Sequence, residues 1–307
     1  INVCVMNLHV MHSSTRDYRP ESGTYRMLVF LLLPLLAYGK DWNYDPTSPL
    51  GPANWKEKYP TCGGQNQSPI EIRAMDTLID PNRTPLFLLN DRKRLTGATL
   101  TNIGDGVLMT IPTKHYLVFY DLGALPGQYR VHESIFKWPA EHIIDGEQKP
   151  LELQIMTWNT NMYVEYKDAV GKPNGRAIFS VLFTVYNHME SPRLYLDDGL
   201  KKLNTTLYSI TNPGDEAQID DDSNTYYELR NSMPAPDYFK DRYYRYNGSL
   251  SSPSCDEGIL RIVFKENRFI ADIQFEAFRR LKGSDGSPTL DGLSRPVQSL
   301  NEREVTR

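Results

Sequence analysis

Side chains that could hold a metal ion or act as nucleophiles are scarce in this chain of 307 residues, which has six histidines and three cysteines. From residue 40 onward the histidines are His115, His132, His142 and His188, and none stands in a nucleophile-elbow context. Gly-x-Ser-x-Gly and phosphate-loop motifs are absent, which removes the usual sequence support for a serine hydrolase or a nucleotide-binding enzyme. A strong charge of one sign is also missing. The formal net charge is −4 with no basic stripe between aromatics, which argues against a nucleic-acid partner. No apolar run reaches the ~20 residues of a membrane-spanning helix. Residues 42–307 contain no linker, repeat or low-complexity tract, so one domain is the simplest organisation.

The chain is rich in strand signals. Hydrophobic residues make up 40% and charged residues 23%, an ordinary globular balance. The segments 98–112, 115–123, 151–159, 161–168, 177–186 and 258–266 are β-branched and aromatic, with turn residues between them. Helical spacing is limited to 199–210 and 272–281. The expected fold class is therefore mainly β with peripheral helices. One stretch is conspicuous for what it omits. "IFKWPAEHIIDGEQKPLELQIMTWN" (135–159) has two alternating apolar runs around an acidic turn, a hairpin suited to metal ligands, yet it holds only His142 and no cysteine.

The amino-terminal part reads differently. Arg26, Met27, an apolar run from Leu28 to Leu36, then Ala37 and Gly39 match the three regions of a secretory signal. Residues 27–39 are read as that signal peptide and 1–26 as a leader or unprocessed extension with no fold assigned. Residues 40–307 are then the mature domain, expected to be secreted, extracellular and without a membrane anchor. Removal of Cys4 leaves Cys62 and Cys255, an even pair that an oxidising compartment would join. Candidate glycosylation sites are Asn82, Asn204 and Asn247. Pro85 weakens the first, and Asn66 abuts Pro69 and a strand, so it is expected to be inaccessible.

Several motifs in order carry a resemblance. "WNYDPTSPLGPANWKEKYPTCGGQNQSPIEI" (42–72), "AEHIIDG" (140–146), "ELQIMTWN" (152–159), "YNGSLSSPSCDEGILRIVF" (246–264) and "RPVQSLNEREV" (295–305) span nearly all of the mature domain. Together they resemble the α-class carbonic anhydrases. The resemblance implies a single large, twisted, mostly antiparallel sheet of about ten strands with a conical cleft. It also implies a Cys62–Cys255 disulfide, because secreted members carry cysteines at these places.

The chemistry departs from the family pattern. Active members read His-x-His-Trp on one strand and a third histidine on the next, and these hold zinc. With Trp138 fixing the register, the matching positions here are Ile135, Lys137 and Gln154. Isoleucine offers no donor, glutamine is a poor one, and a lysine ammonium brings positive charge to a cation's place. Zinc is therefore expected to be absent, and with it the hydroxide nucleophile a zinc ion would generate. Parity keeps 135 and 137 on one face, and 152 and 154 likewise, so restoring histidine at 135, 137 and 154 is expected to rebuild the site.

Other positions are mixed. Glu141 and Ser251 match the family's hydroxide-orienting pair, Ser252 keeps a neighbouring hydroxyl, and Glu152 matches the carboxylate behind the third histidine. Asp105 stands where a proton-shuttling histidine is usual, Met156 and Ile178 replace smaller valines, and Arg261 replaces a tryptophan. Glu141, Ser251, Ser252 and Asp105 are read as vestiges with no catalytic role. Lys137 is expected to fill the metal's place by bonding Glu141 or Glu152, with Ser251 or Gln154 as further partners. The acidic run 214–224 could bind calcium weakly, although a solvated loop is the plainer alternative. The resemblance thus points to an acatalytic carbonic anhydrase-related protein, an extracellular binding or structural module with an unknown protein partner. Two alternatives remain: a residual or noncanonical hydratase or esterase, and a calcium-associated matrix or fluid protein.

Overall fold

The computed structural model describes residues 40–123, 125–190, 198–219, 226–234, 242–288 and 293–307. The leader and signal segments lie outside the described residues, as do Asp220, Asp221 and Asp222 of the acidic run.

Strands form where β-branched and aromatic residues run unbroken. After a short helix α1 (Trp55–Lys58), the first strands are β1 (Glu71–Ile72), β2 (Phe87–Leu89), β3 (Thr99–Asn102), β4 (Val107–Thr110) and β5 (Val118–Tyr120). Next come β6 (Tyr129–Lys137), β7 (Ile143–Ile144), β8 (Glu147–Gln148), β9 (Leu151–Asn159) and β10 (Arg176–Tyr186). Helix α2 (Asp198–Leu207) and strands β11 (Glu216–Gln218), β12 (Tyr243–Ser249), β13 (Glu257–Phe264) and β14 (Arg268–Ala271) follow, and helix α3 (Asp272–Arg279) closes the series.

Among the described residues, eleven strands make one mixed sheet along the path β11-β3-β4-β6-β9-β10-β13-β12, with β5 also on β6, β2 on β5 and β14 on β10. Most pairings are antiparallel; β10 runs parallel to both β13 and β14. A separate small sheet joins β1, β7 and β8. Alternation sorts the central strands into two faces. Phe136, Leu153, Ile155, Phe179, Val181 and Phe264 enter the main apolar core, which α2 and α3 cover with Leu203, Leu207, Ala277 and Phe278. Each of these side chains larger than alanine contributes roughly 1.5–3 kcal/mol by leaving water. The opposite face carries the residues of interest. A Cys62–Cys255 disulfide, with Cα atoms 4.8 Å apart, ties the segment before β1 to the one before β13. No helix among the described residues is long and apolar enough to cross a membrane.

One strand expectation fails. Residues 161–168 form a turn followed by a 3₁₀ helix (Tyr166–Ala169). The Asn159 side chain accepts the Asn161 N–H at 3.0 Å, and its carbonyl accepts the Tyr163 N–H at 3.0 Å, which reverses the chain as soon as β9 ends. Glu165 and Asp168 then cap the helix reciprocally. A β-rich composition lost to local turn chemistry.

Candidate functional site

Two adjacent strands bring the former ligand positions together. Ile135 on β6 faces Gln154 on β9, and Lys137 faces Glu152. On the next strand Ile178 pairs with Met156 and, on its other side, with Arg261 of β13. All of these except Met156 are buried.

The carboxylates are engaged by neighbouring groups. Glu141 is 1% exposed, and its Oε2 accepts from Gln154 Nε2 at 2.6 Å and from the Ser251 hydroxyl. The expected Glu141–Ser251 pair is thus present, while Ser252 is half-buried beside it. Glu152 is fully buried and accepts backbone N–H groups of Glu141 (2.9 Å) and His142 (3.0 Å), the Gln154 amide (3.0 Å) and His142 Nδ1 (2.8 Å). His142 Nε2 lies 2.7 Å from the Tyr246 hydroxyl, which in turn meets Ser68. Burial alone would push the His142 imidazolium down, but the Glu152 carboxylate and Tyr246 outweigh it and hold its pKa up at about 9. Burial likewise opposes ionisation of Glu152; His142 and Arg261 reverse this and bring it down to about 2.

The sequence did not reveal the role of Arg261. It is fully buried in a strand that otherwise reads "GIL.IVF". Its Nη1 donates to Gln154 Oε1 at 3.2 Å and its Nε to the Ser249 carbonyl at 3.0 Å. Gly248 makes room for it: a Cβ there would lie 2.9 Å from Arg261 Cγ and 2.3 Å from Ser68 Oγ. Gln154 is thereby fixed at both ends, its oxygen on the guanidinium and its nitrogen on two carboxylates. An arginine within an apolar strand was the available signal, since burying such a charge requires a partner.

Lys137 departs from expectation in its partners. It is 2% exposed, as a residue filling a closed site must be. Its ammonium, however, donates to the Asp105 carbonyl at 2.6 Å and the Tyr44 hydroxyl at 3.0 Å, with the Asp105 carboxylate at 3.6 Å. Glu141, Glu152, Ser251 and Gln154 are not among its partners. For Glu152 the cause is prior occupancy: it lies directly across the strand pair, but its oxygens already accept from two backbone N–H groups, Gln154 and His142. Burial would lower the Lys137 pKa, yet Tyr44, Asp105 and Glu141 together raise it above the ordinary lysine value. Burial raises the Tyr44 hydroxyl above its usual range. Asp105 is also held by the Lys40 ammonium. Above these groups lies a pocket of about 490 Å³ lined in part by Trp42, Tyr44, Asp105, Ser284 and Leu293.

A structural zinc ion takes imidazole, thiolate or carboxylate donors, typically four at roughly 2.0–2.3 Å, and a catalytic one keeps three. Here the corresponding positions offer a hydrocarbon, an ammonium and an amide whose oxygen is already bonded to a guanidinium. This set does not fit zinc. Among the described residues no other cluster of three or more histidine, cysteine or acidic side chains could hold a metal.

The remaining positions are scattered. Asn82 and Asn247 are exposed, the latter on strand β12 at one end of the sheet path. Asn204 lies within α2 with its Oδ1 buried, and Asn66 is half-buried against Glu257. Residues Glu216–Gln218 of the acidic run form β11 against β3.

Comparison with known proteins places this geometry. Residues 50–307 match the family model described as eukaryotic-type carbonic anhydrase. Carbonic anhydrase 6 of Mus musculus is 28% identical over 269 residues, covering 86% of this chain and 80% of that protein. Carbonic anhydrase 3 of Homo sapiens is 28% identical over 275 residues, covering 87% and 97%. Carbonic anhydrase 7 of Homo sapiens is 27% identical over 273 residues, covering 86% and 96%. With the mixed eleven-stranded sheet and the Glu141–Ser251 pair in place at the matching positions, this chain belongs to the eukaryotic-type carbonic anhydrase family.

Proposed function

We propose that this chain is a secreted, catalytically silent carbonic anhydrase-like protein that serves as an extracellular binding or structural module. One observation carries the proposal. At the third former ligand position the Gln154 amide is bonded at both ends, to Arg261 through its oxygen and to Glu141 and Glu152 through its nitrogen, which leaves it no free donor for a metal. Without a metal-bound water of lowered pKa, the Glu141–Ser251 pair has no hydroxide to orient. Two features support secretion: the signal-like segment 27–39, and the Cys62–Cys255 bridge, which suits an oxidising compartment. The partner is an unidentified extracellular protein.

The test is expression of the full chain in secreting cells. The protein is expected in the medium, oxidised at Cys62 and Cys255, and a stopped-flow assay of carbon dioxide hydration is expected to stay at the buffer rate. Retention in the cell with free thiols, or hydration above background, contradicts the proposal.

A further inference from the structure

We propose that Arg261 is the residue that excludes zinc from this cleft, so that restoring the three missing histidines would not rebuild a metal site while Arg261 remains. The inference deepens the metal-free account just given and rests on it. It revises the expectation from sequence, which counted only the substituted ligand positions.

Geometry carries it. Arg261 Nη1 lies 3.2 Å from Gln154 Oε1, the side-chain acceptor at the third ligand position. A zinc ion bound to a donor there would sit about 2.1 Å beyond that donor. The guanidinium would then lie within roughly 5 Å of the ion, and at zero exposure it would be little screened by solvent. Histidine at position 137 would remove the Lys137 ammonium, but Arg261 would be untouched. Unlike a lysine, an arginine cannot shed its proton to relieve the repulsion.

Arg261 also has no easy way to move aside. Its Nε is anchored on the Ser249 carbonyl at 3.0 Å, and its aliphatic stem packs in the space left by Gly248. Its backbone is paired on both sides, with Ile178 and with Tyr246. Its second terminal nitrogen, Nη2, is buried without a partner among the described residues, as is Glu141 Oε1. Gln154 therefore acts as an amide bridge between a fixed cation and the buried carboxylate. The charge that a metal would supply comes instead from β13.

The experiment compares two variants in full-length protein: I135H/K137H/Q154H, and the same three substitutions with Arg261→Trp. Zinc alone is the probe, titrated in competition with a chromogenic chelator. The three-substitution variant is expected to bind zinc at least about 100-fold more weakly than the four-substitution variant. Equal affinities, or folded variants that both fail to bind, would overturn the proposal.

A second measurement covers the case in which the multiple variants do not fold. In the native background, Arg261→Met is expected to lower the melting temperature, and Glu141→Gln on top of it to recover part of the loss. Strictly additive losses would contradict the charge-balancing role. The zinc content of the unaltered protein tests the metal-free account separately, so the two can fail independently.

Discussion

The Gln154 side-chain amide donates to Glu141 Oε2 at 2.6 Å while its oxygen accepts from Arg261 Nη1 at 3.2 Å. This bridge links a buried carboxylate to a buried guanidinium across three strands, β9, β10 and β13. Lys137 holds a second, separate knot with Asp105 and Tyr44. The space around the former metal position is therefore served by two cations, each with its own partners.

Removing Lys137 tests the second knot. Lys137→Met is expected to lower unfolding free energy by about 3 kcal/mol, because it strands the Asp105 and Tyr44 oxygens in a buried setting. Urea unfolding measures it. The Lys137 pKa is raised above the ordinary 10.5 in the fold. A group raised in the folded state contributes fully below its unfolded pKa, so the loss is expected to be constant with pH up to about 10. A loss that vanishes in this range, or a variant as stable as the unaltered protein, contradicts the buried pairing.

The His142–Glu152 pair sets a stability window. Glu152, lowered from 4.5 to about 2 by His142 and Arg261 against the opposing effect of burial, stabilises the fold above 4.5 and loses this as pH falls toward 2. His142, raised from 6.5 to about 9, stabilises fully below 6.5 and loses this as pH rises toward 9. Melting temperature against pH is expected to plateau between these two unfolded values and decline on both sides. In His142→Gln the alkaline decline is expected to flatten; an unchanged alkaline limb would assign it to another group.

The disulfide closes a separation of 193 residues. In the chain-entropy description a loop of this size restricts the unfolded state by about 5 kcal/mol. Replacing Cys62 and Cys255 with alanine is expected to shift the denaturant midpoint accordingly. A shift near zero would show that strain in the native state cancels the gain.

Sequon occupancy follows from exposure. Asn247 lies exposed on β12, whereas Asn204 has its side-chain oxygen buried within α2. Peptide mapping of secreted material is expected to find glycan at Asn247 and none at Asn204.

Legibility in the sequence followed how local each signal was. The run 151–159 matches β9, Leu151–Asn159, residue for residue, because its alternation is strong and its ends carry turn signals. Trp138 fixed the register that places Ile135 and Lys137 on one face and pairs them with Gln154 and Glu152. The segment 161–168 misled because Asn159 accepts bonds from residues just after it, a contact that composition does not encode. The burial of Lys137 was legible from its place in the hairpin. Its partners were not, since they depend on which oxygens of Glu152 the backbone at Glu141 and His142 had already taken. Arg261 was visible as an oddity in an apolar strand, but its bond to Gln154 needed the order β9-β10-β13.

The most direct test of the metal-free account is the zinc content of the purified protein after equilibration with excess zinc and removal of free ion. The substituted positions Ile135, Lys137 and Gln154, with Arg261 behind the last, predict well below one zinc per chain by elemental analysis and no zinc-dependent rise in melting temperature. One tightly held zinc per chain, accompanied by carbon dioxide hydration, would contradict the account.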